Sequence, residues 1–149
     1  MEMADDELSI GYLMHWGGRL LRRFADRRLK PLGLSSAHLP VINALADEEP
    51  LSQKALAEIA AIEQPTMAAM LSRMERDGLV ARRPDPADGR SALFSLTPAT
   101  RRQLGALRAA VEEVNREALR GLPADERRHF RRQLQTMIEA MDRRLAEEE

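Results

Sequence analysis

A chain of 149 residues is long enough to bury one hydrophobic core, and 44% hydrophobic with 32% charged residues is typical of a soluble globular protein. The absence of cysteine excludes a disulfide framework, a thiolate zinc site and thiol redox sensing. No apolar run reaches the roughly 18 residues of a membrane span, and the acidic N-terminus is unlike a signal peptide, so we expect a cytoplasmic protein.

The N-terminal part of the chain is predicted to form one long helix at residues 8–30, after a polar stretch at 1–7 that we expect to fray. The sequence Pro-Leu-Gly at 31–33 ends this helix. Its buried side is predicted to comprise Ile10, Leu13, Gly17, Leu20, Leu21 and Phe24. For Trp16 we favour packing in the core or at a dimer interface over a place in a ligand-binding wall.

A second helix is predicted at residues 36–46, capped by Ser35 or Ser36. If Ser36 is the cap, Pro40 lies just after the free N–H groups of this helix, and we expect a slightly distorted first turn. The positions predicted to face the core are Val41, Ile42 and Leu45.

Two further helices, joined by the short link at 60–62, form a predicted helix-turn-helix. Ser52 is expected to cap the first of them, because a serine oxygen accepts a free N–H of the first turn. Leu56 and Ile59, three residues apart, give this helix an apolar edge. The link is too short to separate the two helices, which must therefore pack against each other.

The second helix of the pair is predicted to begin near Glu63, with Pro65 in its first turn and Gly78 as its stop. Helical spacing predicts a buried face of Met67, Met70, Leu71 and Met74. We interpret these methionines as core-filling residues rather than as an oxidation sensor. The positions left free to meet a partner are Gln64, Thr66, Ala69 and Arg73.

Residues 79–83 and 92–96 alternate like two strands and predict a β-hairpin, with residues 84–90 as its charged turn. A helix-turn-helix followed by a basic hairpin is a winged helix-turn-helix, a reader of duplex DNA. We expect Arg90, at the tip, to enter a narrow minor groove, with Asp88 holding its guanidinium in place. The alternative for this pair is a solvated ion pair of little energetic value.

Two helices complete the chain. The first is predicted from the Thr97 cap and Pro98 to about Leu119, with Gly121 as its stop. Its apolar stripe is Leu104, Leu107, Val111 and Val114. The last helix is predicted to begin at 123–125. Its stripe is Phe130, Leu134, Met137, Ile138, Met141 and Leu145. So long a stripe has to be covered, and we expect packing against the preceding helix to contribute to that cover.

Four short motifs carry a resemblance to a known family. The sequences Asp-Gly-Leu-Val at 77–80, Arg-Arg-Pro at 82–84, Asp-Gly-Arg at 88–90 and Leu-Thr at 96–97 resemble the MarR family of bacterial transcriptional regulators. The resemblance extends over nearly the whole chain. It implies a homodimeric repressor that binds palindromic DNA and is often released by a small molecule or an oxidant. Without cysteine, a small molecule is the expected effector.

The same resemblance implies a mainly α fold, organised as one domain over residues 1–149. Residues 8–34 and 99–149 are expected to form a helical dimerisation region, in which the terminal helices of two subunits interleave. Residues 35–98 are expected to form the winged helix-turn-helix module. An effector pocket is implied between these two parts, although no residue identifies its occupant.

The candidate site is a DNA-binding surface. Equal numbers of basic and acidic residues in 51–98 mean that such a surface requires segregated charge. Many family members carry a hydroxyl residue and an arginine where this chain has Ala68 and Ala69, so base reading is expected to depend on other positions. Because Arg82 and Arg83 alternate across a strand, only one of them need face DNA. The full candidate set is Ser52, Gln53, Gln64, Thr66, Ala69, Arg73, Arg83, Asp88 and Arg90.

Two other functions compete with this interpretation. One is a winged helix that binds proteins instead of DNA. The other is a small helical enzyme, which we disfavour because His15, His38 and His129 lie on separate predicted helices and no H-E-x-x-H, phosphate loop or nucleophile elbow occurs. We therefore predict no catalytic residue, no metal site and no cofactor.

Overall fold

The computed structural model describes residues 8–47 and 49–148, so the predicted fraying of residues 1–7 lies outside the described residues. The chain divides into two compact units, the first ending at Glu112 and the second beginning at Glu113. The described residues are mainly helical, with a small antiparallel sheet in the first unit. None of the helices in these residues is long and apolar enough to cross a membrane.

Helix α1 spans Ile10–Leu29, close to the prediction. The Ser9 hydroxyl oxygen caps it by accepting a hydrogen bond from the N–H of Tyr12 at 3.1 Å. A 3-10 turn at Lys30–Leu32 follows, and Gly33 ends it in the left-handed conformation at φ 70°. Gly33 therefore has the backbone conformation that favours glycine at a helix C-terminus.

The predicted buried side of α1 is wrong for the single chain. Its large side chains are exposed, from 38% at Leu20 to 60% at Ile10, and only Gly17 of the predicted set is half-buried. Ala25 and Leu29 are buried instead. The apolar stripe exists at the predicted helical spacing, but it is uncovered within the described residues. The residues of this α1 stripe that were predicted to be buried but are exposed are Ile10, Leu13, Leu20, Leu21 and Phe24.

The second predicted helix begins as a 3-10 turn at Ser36–His38 and continues as α2 at Leu39–Leu45. A distorted start was predicted for a Ser36 cap, but Ser35 is the cap, and Pro40 occupies the first turn of α2, where its missing N–H costs little. Ser35 is the cap, and its backbone N–H donates a hydrogen bond to Nδ1 of His38 at 3.1 Å. The side chains predicted to face the core are fully buried, as expected, at Val41, Ile42 and Leu45.

The predicted helix-turn-helix and hairpin are both present. Helix α3 spans Gln53–Ala60 and α4 spans Gln64–Arg76, and the strands β2 and β3 span Val80–Asp85 and Asp88–Leu96. A further strand, β1 at Leu51–Ser52, pairs antiparallel with β3, so the order in the sheet is β1-β3-β2. Strand β1 was not predicted, because two residues show no alternation.

The core of the first unit lies between α2, α3, α4 and the sheet. Met67, Leu71 and Met74 are fully buried and Met70 is half-buried, which confirms the predicted inner face of α4. Each fully buried side chain of this size contributes about 1.5–3 kcal/mol. The predicted edge of α3 is only half right: Leu56 is buried, but Ile59 is 60% exposed. The neighbouring residue Ala57 takes the inner position instead.

Helix α5 spans Pro98–Ala118, as predicted. Thr97 caps it, its hydroxyl oxygen accepting the N–H of Thr100 at 3.2 Å. The Thr97 hydroxyl donates to the Gly78 carbonyl at 2.7 Å, and the buried Thr100 hydroxyl donates to the Leu79 carbonyl at 2.9 Å. These bonds fix the first turn of α5 to the junction between α4 and β2.

Helix α6 spans Ala124–Glu148, beginning where predicted, and has no buried residue. Leu134 and Met137 of its apolar stripe are half-buried. The remaining members of the stripe are 46–62% exposed, and they are Phe130, Ile138, Met141 and Leu145.

Candidate nucleic-acid interface

The turn between α3 and α4 sets the angle at which α4 leaves the module. Ala61 has a left-handed backbone with φ 51°, a conformation that costs a non-glycine residue roughly 1–2 kcal/mol. Its N–H and that of Ile62 bond back to the last turn of α3, with Ile62 donating to the Ala57 carbonyl at 3.0 Å. The tight turn thereby allows the buried face of α4 to pack on α3.

The outer face of α4 carries the exposed side chains of Thr66, Ala69 and Arg73, spaced i, i+3 and i+7. These three predicted site residues therefore form one ridge opposite the buried methionines. Arg76 continues the ridge seven positions after Ala69 and was not among the predicted site residues. The helical spacing could have identified it. Its guanidinium lies 3.7 Å from the carboxylate of Asp77.

Gln64 lies apart from that ridge. It lies two positions before Thr66, so its side chain projects about 200° away from that of Thr66 around the helix axis. Gln64 is nevertheless exposed, and as the first residue of α4 it is accessible to a partner that approaches the end of the helix. Gln53 is half-buried, and its side-chain amide donates to the backbone carbonyl of Gln64 at 3.5 Å. The Ser52 oxygen caps α3 by accepting the N–H of Ala55 at 3.1 Å. Gln53 thus links the beginnings of the two helices, whereas Ser52 caps α3 alone.

The hairpin differs from the prediction at its tip. The turn is Pro86-Ala87 alone, whereas a seven-residue turn at 84–90 was predicted. Pro84 is accommodated in β2 because β2 is an edge strand of the sheet. The Asp85 carboxylate accepts the N–H of Ala87 at 2.9 Å, which closes the short turn. The strands therefore extend further than their alternation indicated.

Arg90 lies on β3, three residues beyond Ala87, and not at the tip as predicted. Asp88 does not hold its guanidinium: the carboxylate accepts the backbone N–H of Arg90 at 3.0 Å. The pairing of β2 with β3 is irregular between Pro84 and Asp85, and Arg90 lies in the part of β3 opposite that irregularity. Arg83 is paired with Leu93, in the regular part of the hairpin. Both arginines are exposed on the ribbon.

Arg82 is held by the rest of the module. Its Nε lies 3.1 Å from Oε2 of Glu75 on α4, and its guanidinium lies over the ring of Phe94 at 5.2 Å from the centroid. Alternation directs Arg83 away from these neighbours, in agreement with the expectation that one of the two arginines faces outwards. Arg82 therefore links the hairpin to the last turn of α4.

His38 lies near the C-terminal end of α4. Burial lowers the pKa of His38, and the positive charge of Arg73 lowers it further, against the opposing effects of Asp77 and Asp26. A neutral ring also suits the cap, because Nδ1 has to accept the Ser35 N–H. Histidine, aspartate and glutamate form no group that could hold a metal ion among residues 8–47 and 49–148.

A shallow depression of about 370 Å³ lies beside the turn between α3 and α4. Lys54 lines it, but Glu58 and Glu63 line it as well. Because the two carboxylates outweigh the lysine, the lining of the depression carries no net positive charge. The exposed arginines of the predicted site are Arg73, Arg83 and Arg90.

The chain is similar in sequence to known transcriptional regulators. The family model described as the MarR family matches residues 32–91. An HTH-type transcriptional repressor of Mycobacterium tuberculosis and another of Mycobacterium bovis are each 31% identical to the chain over 137 residues, which is 92% of this chain and 98% of each relative.

Solved structures have the same fold. A probable transcriptional regulator from Pseudomonas aeruginosa aligns with a TM-score of 0.80 and 30% identity, over 89% of this chain and 98% of that one. A crystal structure of MarR has a TM-score of 0.85 and 24% identity, covering 98% of this chain and 99% of that chain. A mutant MarR from E. coli complexed with operator DNA has a TM-score of 0.79 at 22% identity, over 92% of this chain and 99% of its own.

Proposed function

This chain belongs to the MarR family of transcriptional regulators, and on that premise we propose that it represses transcription by binding pseudo-palindromic operator DNA as a homodimer. Residues 35–98 form the DNA-binding module in this proposal, and residues 8–34 and 99–149 form the dimerisation region. A bacterial regulator of this kind acts on chromosomal DNA, hence in the cytoplasm. We propose regulation rather than catalysis as its function.

The observation that carries the proposal is the placement of exposed groups on two elements of the module. On α4, Thr66, Ala69 and Arg73 form a ridge that fits a major groove. On the hairpin, Arg83 and Arg90 are both exposed, at two positions from which a ribbon in a minor groove can reach the flanking phosphate backbones. Gln64 at the start of α4 is proposed to read a base edge, since the first residues of a recognition helix do so.

The proposed dimer is supported by the exposed apolar stripes of α1 and of α6. Surfaces of this kind are costly to leave in water and mark interaction sites. The names of the mycobacterial relatives support repression, and the E. coli complex supports operator DNA as the partner. A two-fold dimer reads half-sites whose centres are about 10 bp apart.

The test is a titration of labelled DNA from upstream of the chain's own gene, with scrambled DNA as the control, at several salt concentrations. For Arg90→Ala we expect weaker binding to both DNAs and a salt slope smaller by about 0.9 for each phosphate that the variant no longer neutralises, doubled in the dimer. Arg143→Ala, which removes an exposed arginine of α6, is the matched control. An unchanged affinity and slope for Arg90→Ala would remove the wing from the interface.

Gln64→Ala tests base reading in the same titration. We expect a loss of about 1–3 kcal/mol on the operator, with a relaxed preference at one position of each half-site and a nearly unchanged salt slope. Equal weakening on operator and scrambled DNA would contradict base reading by Gln64. If the wild-type chain binds neither DNA, the alternative of a protein-binding winged helix replaces this proposal.

We also propose that any release of DNA is brought about by a small molecule. The chain has no cysteine, so mild peroxide cannot act through a thiol. The measurement is DNA binding before and after peroxide treatment, which we expect to agree. A rapid loss that dithiothreitol reverses would contradict this part of the proposal.

A further inference from the structure

A cavity of about 300 Å³ lies in the second unit, at the corner between α5 and α6. The DNA-binding proposal makes no use of it. Leu119 and Ala124 are its apolar residues. The other lining residues are all arginines: Arg116, Arg127, Arg128 and Arg131. Among the described residues that line the cavity, none carries a negative charge.

The arrangement of the arginines follows from the helices. Arg127, Arg128 and Arg131 lie on the same face of α6 as Ala124, at i+3, i+4 and i+7 from it. The acidic residues of the first turn, Asp125 and Glu126, project about 100° and 200° away from that face. They therefore do not line the cavity.

Two hydrogen bonds leave the positive charge of the cavity available to a ligand. Arg127 is half-buried, and its Nε donates to the Leu122 carbonyl at 3.0 Å, which orients its guanidinium and leaves the terminal nitrogens free to donate. Glu117, near the end of α5, is bound to the guanidinium of Arg120 at 2.6 Å. Its carboxylate is thus engaged outside the cavity lining.

We propose that this cavity binds a small multivalent oxyanion, either a phosphate ester or a polycarboxylate. Guanidinium groups brought together without a counter-charge repel one another, and an anion among them turns that repulsion into attraction. Arginine matches phosphate and carboxylate oxygens with paired N–H donors. A single negative charge would leave most of the four positive charges uncompensated. The volume lies at the lower end of the range of about 300–1,000 Å³ for small-molecule sites.

The first experiment is isothermal titration calorimetry of the full chain with inorganic pyrophosphate and, separately, with citrate. Sodium chloride holds the ionic strength constant, so that general screening is the same throughout. We expect saturable binding of at least one probe with one site per chain. Tighter binding of pyrophosphate assigns the site to phosphate esters, and tighter binding of citrate assigns it to polycarboxylates. Binding of neither probe overturns the proposal.

The second experiment places the binding at this cavity. Arg127→Gln with Arg131→Gln removes two lining charges, whereas Arg132→Gln with Arg143→Gln removes two charges from α6 positions outside the lining. We expect at least about tenfold weaker binding for the first pair, equivalent to about 1.4 kcal/mol, and less than about a twofold change for the second. Equal effects of the two pairs overturn the proposal.

Circular dichroism and light scattering of each variant check its fold and its assembly. If the first pair does not fold, Arg128→Gln alone replaces it, with Arg132→Gln as its control. The proposal does not depend on DNA binding. The DNA titrations of the wild-type chain therefore test the regulatory function separately.

Discussion

The helix-turn-helix module and the long helices α1 and α6 carry equally regular apolar patterns, but they differ in what covers them. Within the module, Leu56, Met67 and Leu71 are fully buried by neighbouring elements of the same chain. On α1 and α6, side chains such as Ile10 and Leu145 are about 60% exposed. A periodic pattern therefore identifies which face of a helix is apolar, and it does not identify whether the same chain or another one buries that face.

The largest effect is expected from substitutions in the exposed apolar stripe of α6. If the stripe of α6 joins two subunits, Leu134→Asp with Ile138→Asp will give a monomer or insoluble protein and abolish operator binding, because carboxylates cannot be buried without a partner. Thr136→Asp with Ala140→Asp, at the same spacing on the opposite side of α6, is the control and should remain dimeric. Light scattering measures the mass. A wild-type monomer at micromolar concentration would show that nothing covers the stripe.

The next largest effect is expected on the free energy of unfolding, when a buried and an exposed apolar residue of the module are each replaced by alanine. Leu71→Ala removes a fully buried side chain and should lower the free energy of unfolding by about 2–5 kcal/mol. Ile59→Ala, at a position that is 60% exposed, should change it by less than about 0.5 kcal/mol. Urea denaturation followed by circular dichroism provides both values. Similar losses for the two variants would mean that Ile59 is covered in solution, which a second subunit or another partner could do.

Local chemistry explains how much of the fold could be predicted. Caps and stops such as Ser52, Pro65 and Gly78 act within a few residues, so the helix boundaries were predictable within a few positions. Strand β1 depends on its pairing with Phe94 and Leu93, more than 40 residues away, and has no local signal. The wrong prediction that Ile59 belongs to the packed edge of α3 has the same origin. Helical spacing predicts the side of the helix on which Ile59 lies, but only tertiary packing determines whether that side is buried.

The candidate site was predictable in part. The exposed ridge of α4 followed from helical spacing, and Arg83 was the outward-facing arginine of its pair. The position of Arg90 was not predictable, because the Asp85 carboxylate closes a short turn at Pro86-Ala87 and the pairing of β2 with β3 is irregular next to it. The anchoring of Arg82 on Glu75 and Phe94 joins segments that are distant in sequence. The arginine cavity arises only where α5 and α6 meet.

A smaller effect concerns the end of α5 that adjoins the module. Thr100→Val keeps the shape of the side chain but removes the hydroxyl that donates to the Leu79 carbonyl, and we expect a loss of about 1 kcal/mol in the free energy of unfolding. The Leu79 carbonyl still accepts the N–H of Thr97 at 3.1 Å, so the loss stays modest. Thr100→Ser retains the hydroxyl and is the control. If serine and valine cost the same, the methyl group and not the hydrogen bond anchors α5.

The smallest effect is a pH dependence centred on His38 in the packed part of the first unit. Burial lowers the pKa of His38 in the folded chain below the value of about 6.5 expected when the chain is unfolded. Between those two values the unfolded chain binds more protons, so the free energy of unfolding rises with pH. The stabilising contribution is complete above about pH 6.5 and is lost as the pH falls through the folded pKa.

His38→Gln is the informative variant for that prediction. Glutamine at the third position after a serine cap can accept the Ser35 N–H through its amide oxygen and does not titrate. We expect near wild-type stability at pH 8 and a smaller loss between about pH 7 and pH 5 than in the wild-type chain. Urea denaturation at each pH measures the difference. Identical slopes for the two proteins would place the acid sensitivity elsewhere, and a large loss at pH 8 would mean that the imidazole ring stabilises the module by packing and not by its neutral acceptor nitrogen.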